Sequence, residues 1–141
     1  MKQVKELIEA LDDLDRKNSL PLIVVGDFNS EAPGGDAYGI MTRDAGYTDV
    51  WTERVGTAAG GFTCCQDTDL RNPHSLLDER IDLIFANNVD LRRVVARTVL
   101  DRPWQKTASG LWPSDHAAVF ASLLGHVAAG EAVATRTVPM E

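Results

Sequence analysis

The chain has 141 residues, of which 44% are hydrophobic and 25% charged, and its formal net charge is −7. These values are typical of one soluble globular domain. General binding of nucleic acid normally requires a basic face, which this acidic composition does not favour. No run of 18 apolar residues is present, so no membrane span is predicted.

The amino-terminal residues lead into an amphipathic pattern rather than the apolar core of a signal peptide. A cytoplasmic location is therefore the default expectation. The compartment stays undetermined, because an export signal would lie in any amino-terminal sequence that is missing before Met1.

The first elements are predicted to be a helix and a buried strand. Residues 2–17 place Val4, Leu7, Ile8, Leu11 and Leu14 at the helical period. The apolar run of residues 22–25 ends at Gly26 and is typical of a central strand that is buried on both faces.

The middle of the chain is less regular. Residues 31–36 form a predicted loop, and residues 36–45 a short helix that Gly46 closes. Residues 47–54 are predicted as a loop or short helix. Residues 56–74 are irregular apart from one short strand at 62–64, and so long an irregular stretch is often functional.

Three further strands are predicted before a loose tail. Residues 80–86 resemble a second buried strand, residues 91–100 are rich in valine, and residues 117–124 form the last strand after a loop at 101–113. Small and polar residues without a period make up the tail of residues 125–141.

The chain's two cysteines, Cys64 and Cys65, are adjacent. Neighbouring cysteines rarely form a disulfide, and two adjacent thiols do not supply a four-ligand structural zinc site. We therefore expect free thiols, and their role stays open.

Polar residues follow the first predicted core strand. Asp27 and Asn29 are two positions apart, so an extended chain points both side chains to the same side. Carboxylate and amide oxygens are ligands for a hard cation such as Mg²⁺. The alternative is a turn in which both side chains accept hydrogen bonds from backbone amides.

A second acidic residue, Asp82, lies inside an apolar strand, where an unpaired carboxylate would be costly. Its partner is predicted to be His116, whose ring tautomer it would fix, or alternatively Arg80 or another arginine. Asp115 and His116 precede the last strand and offer a carboxylate and an imidazole for a metal and a phosphate, although a satisfied surface pair is an alternative.

Three segments together, Gly-Asp-Phe-Asn at 26–29, Arg-Ile-Asp-Leu-Ile-Phe at 80–85 and Ser-Asp-His at 114–116, resemble the endonuclease/exonuclease/phosphatase family, also called DNase I-like. The resemblance extends from about residue 2 to 124. It implies an α/β (α+β) fold, namely half of a DNase I-like four-layer sandwich with a mixed β-sheet flanked by helices.

The resemblance also implies roles for the polar residues. Asp27 and Asn29 match positions that bind or orient the attacking water, the metal and the phosphate, and Asp115 matches a metal-site carboxylate. His116 matches the imidazole that contacts the scissile phosphate, and Asp82 the acid that orients it. The implied cofactor is Mg²⁺ or Mn²⁺, and the implied substrate is a phosphodiester or phosphomonoester in a nucleic acid, a phospholipid or a small molecule.

Family members carry an amino-terminal half with an Asn motif and a metal-binding Glu, and we find no such half in this sequence. Residues 1–124 are therefore expected to be the carboxyl-terminal part of the family's domain, incomplete as a catalyst without the missing half or a second chain. The alternative function is a non-catalytic truncated or split subunit that pairs with another chain. We also expect the site residues to converge at one sheet edge, and the sheet face opposite the first helix to be an exposed apolar surface.

Overall fold

The computed structural model describes residues 2–18, 21–56 and 59–123. Its helices are α1 (Lys2–Asn18), α2 (Asp36–Gly39), which continues into a π-helical turn (Ile40–Asp44), and α3 (Val50–Val55). Its strands are β1 (Leu22–Asp27), β2 (Thr48–Asp49), β3 (Asp82–Asn87), β4 (Val95–Val99) and β5 (Ala118–Ser122), with a 3-10 turn at Pro103–Gln105.

The main sheet has the strand order β1-β3-β2. All strand pairs within the described residues are antiparallel, so the expected mixed sheet shows no parallel pair there. β3 occupies the centre, and β1 lies at the edge of the described sheet, which makes the prediction of a central first strand wrong. The apolar run of β1 shows that both faces of the strand carry apolar side chains, but it does not predict how many strands pair with β1.

A first hydrophobic core lies between α1 and one face of the main sheet. Val4 of α1 is buried, and Leu7 packs against a cluster that includes Leu83, Phe85 and Met41. Burial of one such side chain contributes about 1.5–3 kcal/mol. The amphipathic helix predicted at residues 2–17 is therefore confirmed, and its apolar stripe covers one face of β1 and β3.

The opposite face of the sheet is covered only in part. Ile23 and Val25 of β1 are 52% and 66% exposed. On β3, however, Ala86 is buried and Ile84 is partly buried, because a second cluster around Val50 packs there together with residues of β4 and β5. The predicted exposed apolar face is thus present on β1 and absent from β3.

A buried ion pair joins the start of β3 to the end of β2. The guanidinium of Arg80 donates two hydrogen bonds to the Asp49 carboxylate, at 2.7 and 3.1 Å, and both side chains are 2% exposed. Tyr38 and Thr52 donate their hydroxyl hydrogens to Oδ2 of Asp49 at 3.1 and 2.7 Å. Burial, followed by the charge of Asp49, raises the pKa of Tyr38.

Several local predictions hold with shifted boundaries. A helix forms around Trp51 as one of the two alternatives for residues 47–54, and the two-residue strand β2 before it was not predicted. The short strand expected at 62–64 is a single bridge between Cys64 and Glu79. The predicted tail at 125–141 lies outside the described residues. Among the described residues, no helix is long and apolar enough to span a membrane.

Candidate active site

The segment after β1 is fixed to the neighbouring strand by both backbone and side chain. The backbone N–H of Phe28 donates to the carbonyl of Ile81 at 2.9 Å. The Phe28 ring contacts Phe85 edge to face, with the centroids 5.0 Å apart. Asn29 adopts a positive φ of 45°, and its backbone N–H donates to Oδ1 of Asp27 at 2.8 Å. The alternative of a turn is therefore present for Asp27, which caps a backbone amide, and the expected extended chain from Asp27 to Asn29 is wrong because Asn29 turns the backbone.

The strand register brings two acidic residues together. Asp27 and Asp82 are directly opposite each other in the β1–β3 pair. Asp27 is exposed, whereas Asp82 is only partly exposed. Two carboxylates from distant parts of the sequence thus lie side by side where β1 ends and β3 begins.

Asp82 also contacts the imidazole of His116. Its Oδ2 lies 2.8 Å from Nδ1 of the ring, and the two side chains are 22% and 26% exposed. The hydrogen bond that the His116 ring donates to Asp82, more than the charge of Asp82, raises the pKa of His116, and the charges of Asp27 and Asp115 add to the increase. The prediction that His116 is the partner of Asp82 is confirmed, and the alternative, Arg80, is wrong because that residue pairs with Asp49.

The predicted site residues largely converge. Ligand atoms of Asp27, Asp82 and His116 all lie within 4.8 Å of one another. Asp115 is exposed beside His116, and its Oδ1 accepts a hydrogen bond from the Ser114 hydroxyl at 3.3 Å. Asn29 contributes its backbone N–H to the turn with Asp27. Asp27, Asp82 and His116 therefore lie together as expected, whereas the inclusion of Asn29 and Asp115 in the same site stays a prediction.

Thr63 is a supporting residue to which sequence reasoning assigned no role. Its side chain is fully buried, and its Oγ1 accepts hydrogen bonds from the backbone N–H groups of Ile81 and Asp82 at 3.2 and 3.0 Å. Its own carbonyl accepts from the N–H of Ala117 at 2.8 Å. One threonine therefore holds the first residues of β3 next to the segment that carries His116.

A second buried polar group supports the Ser-Asp-His segment. The N–H of Gln66 donates to the carbonyl of Asp115 at 2.8 Å, and the Gln66 side chain accepts from Asn72 at 2.7 Å. The indole N–H of Trp112, which is 1% exposed, donates to the Asn72 carbonyl at 2.9 Å. Of the two tryptophans near the site in sequence, Trp112 is thus part of the core, whereas Trp104 is 80% exposed.

The cysteine pair lies against the same imidazole. The sulfur atoms of Cys64 and Cys65 lie in contact with each other, and the expectation of free thiols stays a prediction. Sγ of Cys65 lies 3.9 Å from Nε2 of His116. The segment before β3 therefore contributes a side chain that contacts His116.

Comparison with known protein families identifies the larger group. The profile of the Endonuclease/Exonuclease/phosphatase family matches residues 2–116, which include every one of the candidate site residues. The chain belongs to this family. No curated protein and no solved structure matches the chain significantly.

Because the chain belongs to the endonuclease/exonuclease/phosphatase family, its α+β architecture is a DNase I-like fold. Enzymes of this family usually hydrolyse phosphate esters and typically use divalent metal ions. Asp27 suits such an ion, because it offers an exposed carboxylate to an arriving cation, and carboxylate oxygen is a ligand that Mg²⁺ prefers.

Proposed function

We propose that this chain hydrolyses a phosphate ester, either a diester or a monoester, with Mg²⁺ or Mn²⁺ as cofactor. The proposed site comprises Asp27, Asn29, Asp82, Asp115 and His116. The observation that carries the proposal is the contact of 2.8 Å between Asp82 and His116, beside the exposed carboxylate of Asp27.

The proposed division of labour follows from the chemistry of each group. Asp82 fixes the orientation of the imidazole through Nδ1, which leaves Nε2 to face the substrate. Because the pKa of His116 is raised, the ring favours the imidazolium form, which donates a hydrogen bond to a phosphoryl oxygen or to the leaving oxygen.

The oxygen-bearing residues hold the cation and the attacking water in this proposal. The carboxylates of Asp27 and Asp115 and the amide of Asn29 would bind Mg²⁺ or Mn²⁺, both of which prefer oxygen ligands. When bound, the cation supplies positive charge for the phosphoryl oxygens and lowers the pKa of its water. Asp27 is well placed for this role because it stands opposite Asp82 in the sheet register.

The test is hydrolysis of bis-p-nitrophenyl phosphate and p-nitrophenyl phosphate by the purified chain, with Mg²⁺ or Mn²⁺ and with EDTA. We expect slow metal-dependent hydrolysis, because the sequence shows no counterpart of the family's metal-binding Glu, and His116→Ala should lower the rate by about a hundredfold or more. The matched control is His74→Ala, an exposed histidine outside the site, which should leave the rate unchanged. Hydrolysis that survives either EDTA or His116→Ala would refute the proposal.

A second candidate is a non-catalytic subunit that pairs with another chain. The observation that favours it is the exposure of Ile23 and Val25 on one face of β1. In that case no hydrolysis would occur at any metal concentration, and Val25→Lys would abolish binding of the second chain. Sedimentation velocity of the chain and of Val25→Lys separates this candidate from a monomeric enzyme.

A further inference from the structure

Asp82 and His116 belong to parts of the fold that no strand pairing joins within the described residues. Asp82 is the first residue of β3 in the sheet β1-β3-β2, whereas His116 precedes β5, which pairs with β4 in a separate sheet. Apolar packing holds the two sheets together, with Ala86 of β3 and Ala121 of β5 in one cluster. Because apolar packing is not directional, hydrogen bonds between the two parts are needed to set where the imidazole lies relative to the carboxylate.

The segment of residues 63–66 supplies backbone hydrogen bonds to both parts. On the side of β3, the N–H of Thr63 donates to the carbonyl of Glu79 at 2.7 Å. On the side of β5, the carbonyl of Thr63 accepts from the N–H of Ala117 at 2.8 Å. Thr63 therefore connects the chain just before β3 to the residue that follows His116.

The side chain of Thr63 adds a contact to Asp82 itself. Its Oγ1 accepts hydrogen bonds from the N–H groups of Ile81 and Asp82 at 3.2 and 3.0 Å, and the side chain is 0% exposed. A hydrogen bond that is shielded from water is electrostatically stronger than one in solvent. One buried residue thus binds the backbone of Asp82 through its hydroxyl and the neighbour of His116 through its carbonyl.

The peptide group between Ile81 and Asp82 is held at both of its polar atoms. Its oxygen accepts from the N–H of Phe28 at 2.9 Å, and its N–H donates to Oγ1 of Thr63 at 3.0 Å. Because a peptide group is planar, these two bonds together fix its orientation and hence the direction in which the Asp82 side chain leaves the backbone. Without the hydroxyl, the N–H loses its partner and only the bond to Phe28 remains.

We propose that Thr63 is a positioning residue whose hydroxyl sets the carboxylate of Asp82 against Nδ1 of His116. A displacement of about 1 Å at a reacting group costs about a hundredfold in rate, so the hydroxyl should affect turnover more than substrate binding. This consequence for the rate rests on the proposed function, whereas the geometry of the pair does not. The geometry is therefore measured separately, without metal or substrate.

NMR spectroscopy of the whole, metal-free chain measures the contact. The proton that Nδ1 of His116 donates to Asp82 gives a low-field resonance, which is assigned by its absence in Asp82→Asn. Thr63→Val keeps the side-chain volume but removes the oxygen, and we expect the resonance to be lost. The matched control is Thr42→Val, because that hydroxyl donates to the Tyr38 carbonyl at 2.8 Å in the π-helical turn, outside the site, and the resonance should persist. An unchanged resonance in Thr63→Val, or its absence from the unaltered chain, would overturn the proposal.

A second pair of variants keeps the test decisive if Thr63→Val folds poorly. Thr63→Ser and Thr63→Ala both lack the methyl group and differ only in the hydroxyl oxygen, so the first should retain the resonance and the second should lose it. Equal resonances in this pair would also overturn the proposal.

Hydrolysis of bis-p-nitrophenyl phosphate by the same two variants tests the consequence for the rate. Relative to Thr63→Ser, Thr63→Ala should lower kcat by about tenfold or more with little change in KM. A difference confined to KM would contradict a positioning role. Loss of the resonance in Thr63→Ala, together with no hydrolysis by the unaltered chain, would refute the proposed function alone.

Discussion

Oδ2 of Asp82 and Nδ1 of His116 lie 2.8 Å apart, although 34 positions separate the two residues in the sequence. Asp82 begins β3, and His116 stands just before β5. The contact satisfies a partly buried carboxylate and determines which ring nitrogen is left for other partners. The proposed role of this imidazole in hydrolysis depends on that single orientation.

The first prediction concerns the charge state of His116. Asp82→Asn should lower the pKa of the imidazole, because the hydrogen bond that the ring donates to Asp82 is the largest cause of its elevation. NMR titration of the histidine ring protons in the metal-free, EDTA-treated chain measures this pKa. As a matched control, Asp115→Asn should lower it less, since the charge of Asp115 is the last of the contributing causes.

The same contact should make stability depend on pH with a definite sign. Folding raises the pKa of His116 above its ordinary value of 6.5, so the contribution is fully present below 6.5. It is lost as the pH rises through the pKa of the folded state. Urea unfolding of metal-free protein should thus show a stability difference from Asp82→Asn that shrinks with rising pH. A constant difference would contradict this linkage.

The second prediction concerns the oxygen cluster. Asp27→Asn should weaken Mg²⁺ binding by about tenfold or more, because it removes a charged ligand from the exposed end of β1. Chemical-shift changes of backbone amides during a Mg²⁺ titration give the dissociation constant. Asp36→Asn, an exposed acid at the start of α2, is the matched control and should leave the constant unchanged. Equal constants for Asp27→Asn and the unaltered chain would remove Asp27 from the metal site.

The third prediction concerns the buried ion pair. Arg80→Ala should destabilise the fold by about 3–5 kcal/mol, because it leaves the Asp49 carboxylate buried without its cation. Urea unfolding followed by tryptophan fluorescence measures the loss. Arg92→Ala removes the same side-chain type from an exposed pair with Asp90 and should have little effect. Similar losses in the two variants would show that burial is not the deciding factor.

The fourth prediction concerns Thr63. Thr63→Val keeps the side-chain volume but removes the oxygen that accepts from the N–H groups of Ile81 and Asp82. The unfolding free energy should fall by about 1–3 kcal/mol, since one buried and one partly buried donor lose their acceptor. Thr68→Val, at an exposed position, is the control for the change in side-chain chemistry. A loss no greater than that of the control would mean that other acceptors replace the hydroxyl.

Local patterns in the sequence predicted those features that depend on a single helix or strand. The period of Val4, Leu7 and Leu11 predicted α1, and the apolar runs predicted β1 and β3. The need of a partly buried carboxylate for a donor reduced the expected partners of Asp82 to His116 or an arginine such as Arg80. The choice between them depended on Asp49, which takes Arg80 away, and no local pattern in the sequence connects residues 49 and 80.

The sequence by itself determined the family, the main elements and the polar residues, because motifs and periodicity are properties of short segments. Tertiary structure alone decided the edge position of β1, the support by Thr63 and the contact of Cys65 with His116. Each of these depends on which distant segments pack together. Strand pairing and buried hydrogen bonds are set by the energy of the whole core, so no single segment contains the information to predict them.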